Sequence, residues 1–333
     1  MNRFAVVLLN WNAVSDTIAC LNSLPKAGKG SVSIVVDNGS EDDSVPRLLQ
    51  WSRARGVALA DCRDDDLAAL SQFAAMPDLV LVRSKENLGF AKGCNLGLQA
   101  VCALGLEEVV FLNNDTVVAP RALSRLVERL RGDAGLFATI PLILVHGTRT
   151  IWNCGGRISR LGFRRYHHAG ASLDATPLPA ELECTFFTGC CFAVRTQQFA
   201  ARGGFTERFF FGEEDFELCL WMLDHGKRAM VLTDCVVEHK VSAAFNRASR
   251  RDAARVYVYY LNRFIHMRLR LGRATWFLWL LLYLPYTAQL LLRGSAVRLR
   301  ELPGFVWRLI RDAMRHDGVD RAKFMSVMKG AAG

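Results

Sequence analysis

Phe4-Ala-Val-Val-Leu-Leu9 runs directly into Asn10-Trp11-Asn12. Six apolar residues in a row suit a strand buried on both faces, and they are too few and wrongly flanked for a secretory leader. The design recurs along the next hundred residues. Ser33 to Val36 ends in Asp37-Asn38-Gly39-Ser40, Leu79 to Val82 leads to Asn87-Leu88-Gly89, and Val109 to Leu112 ends in Asn113-Asn114-Asp115. Helical periodicity fills the gaps, near residues 14–24, 42–54, 90–104 and 120–131. Such alternation predicts βαβ units, and therefore an α/β fold whose mainly parallel sheet carries helices on both faces. Ligands of these sheets bind beyond the carboxyl ends of the strands. All four ends carry Asn or Asp, so this rim is where hydrogen-bonding chemistry is expected.

Further on, Leu136 to Val145 and Cys184 to Arg195 read as longer β-rich runs, interrupted by glycine turns at Gly155-Gly156 and Gly170. They predict a second, mixed part of the sheet. Helical periodicity returns from Glu213 to His225, followed by short strands at Ala229 to Leu232 and Cys235 to Val237, and the globular part is expected to end near His239. Residues 55–78 read as an insertion, with Asp64-Asp65-Asp66 as the solvated start of an alanine-rich helix favoured by its dipole rather than as a metal site. At 333 residues the chain exceeds the size at which one core stops growing, which predicts one large domain with an appendage or two domains. The expected division is 1–242, the globular part, and 243–333, the appendage. A composition 51% hydrophobic and 22% charged excludes a disordered chain, and no internal period supports a solenoid. Ten scattered cysteines without CxxC pairs fit neither a zinc ribbon nor a disulfide framework, and point to a reducing compartment.

The net charge of +10 is unevenly held. Residues 243–333 carry 17 Lys/Arg against 5 Asp/Glu, whereas residues 1–242 carry 25 against 27. The basic excess therefore belongs to the tail, and nucleic acid is not an expected partner. Within that tail, residues 274–292 hold no formal charge and include Trp276-Phe-Leu-Trp-Leu-Leu-Leu-Tyr-Leu-Pro-Tyr286. The run is barely long enough to cross a bilayer, and Pro285 and Gln289 weaken it as a span. Arginines 268, 270 and 273 precede it and 293, 298 and 300 follow, so charge gives no orientation. Aromatic content with flanking bases predicts a helix or helical hairpin lying on a membrane surface, and Trp307-Arg-Leu-Ile-Arg311 continues the amphipathic pattern. A packed terminal helix or a homodimer contact is the competing reading.

Several residues invite chemistry. Asp37 ends a strand before a turn sequence that opens a helix. By itself this is a turn and N-cap, and with companions it is a carboxylate set for the N–H groups of a base or the hydroxyls of a ribose. Asp115, protruding after Val109 to Leu112, suits Mg²⁺ or Mn²⁺ bridging to a diphosphate. Gly203-Gly-Phe-Thr-Glu-Arg-Phe-Phe-Phe-Gly-Glu-Glu-Asp215 joins flexible glycines, four phenylalanines and three consecutive carboxylates at a helix start. An aromatic loop of this kind encloses a carboxylate and raises its pKa toward that of a general base. His239 is either a third metal ligand, a phosphate contact or an isolated structural histidine.

Together these stretches resemble the family 2 glycosyltransferases, in particular the bacterial rhamnosyltransferase-like branch. The resemblance rests on Val6-Val-Leu-Leu-Asn-Trp-Asn12, Val36-Asp-Asn-Gly-Ser40, Glu86-Asn-Leu-Gly-Phe-Ala-Lys-Gly-Cys-Asn95 and Phe111-Leu-Asn-Asn-Asp-Thr116. It continues through Thr188-Gly-Cys-Cys-Phe-Ala-Val-Arg195, residues 203–219 and Tyr257-Val-Tyr-Tyr-Leu-Asn-Arg263. It implies a GT-A fold, Rossmann-like, with a mixed, mainly parallel sheet flanked by helices and a basic, apolar helical extension; within residues 1–242 it implies a nucleotide-binding half to about residue 120 and an acceptor half from about 121 to 242. It implies an inverting enzyme that moves a sugar, rhamnose first, from a dTDP or UDP donor to a hydroxyl of a cell-surface glycan or lipid-linked acceptor. On this resemblance Asn10, Asn12, Asp37, Asn38, Asn87, Gly89, Asn95, Asn113, Asn114 and Asp115 bind the nucleotide sugar. Asp115 and His239 take Mg²⁺ or Mn²⁺, Asp215 is the base with Glu214 positioning it, and Gly189 and Glu213 lie on the acceptor side. The expected location is the cytoplasmic face of the inner membrane.

The chain departs from the family at two points. The family's metal motif is Asp-x-Asp, and Asn113 stands at its first position; the second acid after the Glu-Asp pair is replaced by Glu217. A nucleotidyltransferase on a similar sheet, or a non-catalytic scaffold in polysaccharide assembly, remain as alternatives.

Overall fold

The computed structural model describes residues 3–24, 30–72, 75–240, 250–293 and 297–330. Two compact units emerge, one of residues 1–206 and 218–241, the other of residues 207–217 and 242–333. The boundary expected between residues 242 and 243 lies outside the described residues.

The first unit is built on one 11-stranded sheet. Its parallel half holds β1 (Phe4–Asn10), β2 (Ser31–Asp37), β3 (Leu59–Arg63), β4 (Leu79–Arg83) and β5 (Glu108–Asn113), in the order β5-β1-β2-β4-β3. The central strands are apolar throughout because both faces are covered, and Ala5 to Leu8 and Ile34 to Val36 are almost wholly buried. A short β6 (Thr116–Val118) precedes β7 (Leu136–Val145), the small strands β8 (Ile151–Asn153), β9 (Gly156–Ile158) and β10 (Arg164–Tyr166), then β11 (Glu181–Cys184), β12 (Cys191–Arg195) and β13 (Arg228–His239). β12 runs antiparallel to β5 and opens the mixed half, continued by β7, β13 and β11. The helices α1 (Val14–Ser23), α2 (Ser44–Ala54), α3 (Phe90–Ala103), α4 (Ala122–Arg131) and α5 (Thr196–Ala201) cover this sheet. In α4 the buried residues are Ala122, Leu123, Leu126, Val127 and Leu130, one apolar stripe at helical spacing. This is the GT-A arrangement.

Three details differ from the sequence reading. Residues 55–78 hold a parallel edge strand, β3, and the alanine-rich stretch after it is a 3₁₀ turn, Leu67–Gln72, not an α-helix. Asp64 accepts the Ser84 hydroxyl at 3.1 Å and the Lys85 amide at 3.2 Å, so it ties down the end of β4 instead of starting a helix. The run from Cys184 to Arg195 is divided into β11 and β12, whereas Ala229 to Val237 falls in one strand, β13, with a register shift between Leu232 and Val236. A bulge of this kind breaks the period-2 pattern and makes one strand read as two.

The second unit is helical. It contains the loop 207–217, in which α6 (Glu214–Asp224) begins, and α7 (Arg250–Leu271), α8 (Arg273–Arg293), α9 (Leu302–Arg315) and α10 (Arg321–Gly330). Gly272, at φ +75°, turns the chain between α7 and α8 in the left-handed conformation that glycine adopts freely. Phe264 of α7 meets Trp276, Trp279 and Tyr283 of α8 edge-on, with ring centroids 5.5–6.4 Å apart. Tyr257 of α7 donates to Asp312 of α9 at 2.9 Å. The loop is pinned by main-chain bonds from Phe210 to Val319 at 2.7 Å and from Val319 to Arg208 at 3.0 Å.

Candidate active site

The parallel register sets Asn10 of β1 opposite Asp37 of β2, and Leu9 opposite Asn113 of β5, so the three carboxyl ends form one row. Asp37 is 3% exposed, and its charge is met by neutral donors. Asn10 Nδ2 donates to Oδ1 at 2.9 Å and the Ser40 amide to Oδ2 at 3.3 Å. Asn10 is fixed in turn: its Oδ1 accepts the Thr17 hydroxyl at 2.7 Å, and Thr17 accepts from Asn114 Nδ2 at 2.9 Å. A chain of polar groups thus runs from the turn after β5, through α1, to the end of β2. Asn12 adopts φ +50°, which Asn tolerates, and its side chain accepts the Glu41 amide at 2.8 Å while its own amide reaches Ser40 Oγ at 3.0 Å.

On the other side of Asp37, Asn38 joins the turn before α3. Its Nδ2 donates to Asn87 Oδ1 and to the Gly89 carbonyl, both at 3.1 Å, and its Oδ1 accepts the Leu88 amide at 2.9 Å. Asn87 also accepts the Gly89 amide at 2.8 Å. The two turns approach so closely that a Cβ at Gly39, whose φ is +69°, would lie 2.7 Å from the Asn87 main-chain nitrogen. Asn10, Asn12, Asp37, Asn38, Asn87, Gly89 and Asn114 are therefore one preorganised set. Asn95 makes a further contact of another kind. Its amide is committed to the Phe205 main chain, with Nδ2 donating at 2.9 Å and Oδ1 accepting at 2.8 Å, and so holds the start of the aromatic loop to α3.

β6 pairs antiparallel with β13, placing His239 opposite Thr116 and beside Asp115. Asp115 Oδ1 lies 3.1 Å from His239 Nε2, and the Asp115 carbonyl accepts the Lys240 amide at 2.9 Å. Trp152 packs edge-on against the imidazole, and His239 Nδ1 is buried without a hydrogen-bond partner among the described residues. A six-coordinate cation with bonds of about 2.1 Å holds neighbouring ligands about 3 Å apart. The Asp115–His239 pair fits two such adjacent positions. Among the described residues no group of three His, Cys, Asp or Glu side chains forms a cage. Two protein ligands suit a cation that completes its shell with phosphate oxygens and water. Asn113 contributes its main chain here: its amide donates to the Cys190 carbonyl at 2.8 Å, which brings Gly189 and Cys190 to the end of β5.

The acidic cluster at the start of α6 is of a different kind. Glu213 has φ +78°, a conformation strained for any residue with a side chain, and its carboxylate is fully buried. Arg263 Nε, 1% exposed, bonds it at 2.8 Å and His266 Nδ1 at 3.0 Å. Burial alone would raise the Glu213 pKa; the Arg263 charge and His266 outweigh it and hold the group below its usual range. Arg263 also lies over the Phe216 ring, 3.1 Å from its centroid, and donates to the Tyr283 hydroxyl at 3.1 Å. Expected on the acceptor side, Glu213 instead has its carboxylate engaged inside the second unit. Glu214, next along, is pushed up to about 8, first by burial and then by the charge of Asp215. Its Oε2 is enclosed and has no hydrogen-bond partner among the described residues. Near neutral pH it is a carboxylic acid beside Asp215.

Sequence reasoning missed Thr17 and His266. Thr17 sits on the buried side of an ordinary helix, and nothing in its neighbours marks it. His266 lies one turn after Arg263, a spacing that brings both onto the same helix face.

The profile of the family described as glycosyltransferase-like family 2 matches residues 2–258. No curated protein sequence matches the chain. Among solved structures, GalNAc-T7 with UDP, GalNAc and Mn²⁺ superposes with a TM-score of 0.53 at 16% identity, over 71% of this chain and 43% of that one. This chain thus spans less than half of that relative. The mannosyltransferase PcManGT of Pyrobaculum calidifontis, in complex with GDP-Man and Mn²⁺, gives 0.53 at 15% identity, over 99% and 86% of the two chains. TarS of S. aureus, residues 1–349, gives 0.55 at 14%, over 94% and 80%. Identities this low speak to the fold alone, but the profile covers well over half of the sequence, and on that ground the chain belongs to glycosyltransferase-like family 2.

Proposed function

We propose that this glycosyltransferase uses a nucleotide-diphosphate sugar and transfers the glycosyl group, with inversion, to an acceptor hydroxyl. The observation that carries the reading is the row of Asn10, Asp37 and Asn114 at the ends of three neighbouring strands, cross-linked by hydrogen bonds through Thr17. Asp37, with Asn10 fixing one oxygen, accepts from the base or ribose of the donor. A divalent cation on Asp115 and His239 would neutralise charge on the diphosphate leaving group. Two of the similar structures are complexes that hold Mn²⁺, one with UDP and one with GDP-Man, which makes Mn²⁺ the first ion to try.

Asp215 takes the proton of the acceptor hydroxyl as that oxygen attacks the anomeric carbon. Glu214, kept neutral, adds no second charge next to the base. Glu213 does not touch the acceptor in this reading; with Arg263 it fixes the start of α6. Rhamnose on thymidine diphosphate is the first donor and a lipid-linked or cell-surface glycan the first acceptor class, with the C-terminal helices bringing the enzyme to the cytoplasmic face of a membrane.

The test is product analysis over a panel of nucleotide sugars, with and without Mn²⁺. Free nucleoside diphosphate with an inverted anomeric centre is expected, with the metal dependence lost in Asp115→Ala. Release of pyrophosphate would assign a nucleotidyltransferase instead, and a metal-independent reaction unaffected by Asp115→Ala would remove the cation from the scheme.

A further inference from the structure

α8 is apolar on two sides, and within its own unit only one of them is used. Trp276, Trp279 and Tyr283 are buried, in edge-on contact with Phe264 of α7. On the opposite side Phe277, Leu278, Leu281, Leu282 and Leu292 are exposed, Leu278 by 67% and Leu281 by 71%. No charged residue interrupts positions 274–292. Exposed arginines stand at its entry, Arg273, and on the segments that follow, Arg298, Arg300, Arg308 and Arg311, the last two beside Trp307, which is 67% exposed.

We propose that this open side of α8 docks in the plane of an anionic phospholipid surface, with the flanking arginines on the headgroups and the leucine ridge among the upper acyl carbons. Charge selects this occupant over a second copy of the chain. Two segments that each carry 17 Lys/Arg against 5 Asp/Glu repel one another, whereas an anionic bilayer attracts both.

The buried side of α8 decides between lying on the bilayer and crossing it. By length and composition the helix passes as a span. Its midpoint, however, is Tyr283, whose hydroxyl accepts from Arg263, and Arg263 is ion-paired with Glu213. A spanning α8 would carry this charged group to the centre of the hydrocarbon or would break its bond, and both are strongly unfavourable. Docking in the plane keeps Arg263 on the protein side and wets only the leucine ridge with lipid. The inference extends the membrane association proposed above, and its readout is binding, so it stands or falls separately from glycosyl transfer.

The experiment is vesicle flotation of the full chain, with phosphatidylcholine vesicles and with vesicles containing about one third phosphatidylglycerol. Binding to the anionic vesicles, release by alkaline carbonate, and at least a ~10-fold loss of binding in Leu281→Asp/Leu282→Asp with unchanged circular dichroism are expected. If the aspartates disturb the fold, Leu281→Ser/Leu282→Ser carries the same test. Unchanged binding by the double variant would overturn the assigned face, and resistance to carbonate would overturn the in-plane geometry. A dimer in solution that the double variant dissociates, with no vesicle binding by the wild type, would show that a second copy covers the ridge.

Discussion

Asp37 and Glu213 are both almost inaccessible carboxylates, and the protein treats them in opposite ways. Asp37 is met by neutral donors, an amide side chain and a main-chain N–H, that are themselves held by other hydrogen bonds. Glu213, whose own backbone is strained, is met by the full positive charge of Arg263. The first arrangement suits a group that must keep its charge and exchange partners when a ligand binds. The second suits one that must never move, because a buried ion pair is hard to break even where it adds little net stability. Glu214 is a third case, enclosed with no compensating cation among the described residues, and therefore inclined to keep its proton. Removing each group in turn tests whether these differences track different jobs.

The largest effect is expected from Asp215→Asn. General-base catalysis is worth roughly 10²–10⁴-fold. The rate of transfer should fall by that order, while the donor Kd measured by calorimetry should stay within about threefold. If turnover persists, the loop carboxylates have no part in the chemistry and the contrast with Asp37 is purely structural.

Arg263→Met attacks the second arrangement directly. It leaves Glu213 buried without its cation, for which about 3–5 kcal/mol of stability is expected to be lost in urea denaturation. Arg263→Met combined with Glu213→Gln should recover part of that loss, since no ionised carboxylate then remains at the site. A single variant as stable as wild type would mean that the pair neither fixes the strained turn nor repays its burial.

Asn10→Ala does the same for the first arrangement, on a smaller scale. Three hydrogen bonds disappear, those donated to Asp37 and Ser40 and the one accepted from Thr17, and buried groups are left unsatisfied at about 1–3 kcal/mol. Donor affinity is expected to weaken about tenfold, because Asp37 is no longer held in place. Loss of stability without loss of affinity would make the strand-end network a fold device only.

The parallel half of the sheet and its polar rim were legible because each strand combines a β-rich apolar run with an Asn or Asp at its carboxyl end. β3 was not, since Leu59-Ala-Asp-Cys-Arg63 is an edge strand with a mixed pattern and makes its ladder with β4 alone. The position of Asp37 was legible, but its support was not: Thr17 is 20 residues away in the chain and carries no local signal. The contact that Asn95 makes was hidden for a related reason. The residue lies within a motif-like stretch, and only the fold reveals that its amide serves the Phe205 backbone. The three adjacent acids Glu213, Glu214 and Asp215 look alike as letters, and what separates them is Arg263, 50 residues further on.

That separation leads to the smallest effect and the most specific one. Because Glu214 is raised from an ordinary 4.5 to about 8, the folded state holds a proton there that the unfolded chain has released. Between about pH 4.5 and 8 the folded form therefore binds more protons, and stability falls as pH rises through this window. Above it Glu214 ionises beside Asp215, where in the proposed reaction a second negative charge would oppose the charge developing on the acceptor oxygen. The wild-type transfer rate is thus expected to fall above about pH 8. Glu214→Gln, which copies the protonated form, should keep most of the activity at neutral pH, remove that alkaline limb and flatten the slope of stability against pH. If the limb persists unchanged in Glu214→Gln, another group controls it, and the enclosure of Glu214 has no bearing on the base beside it.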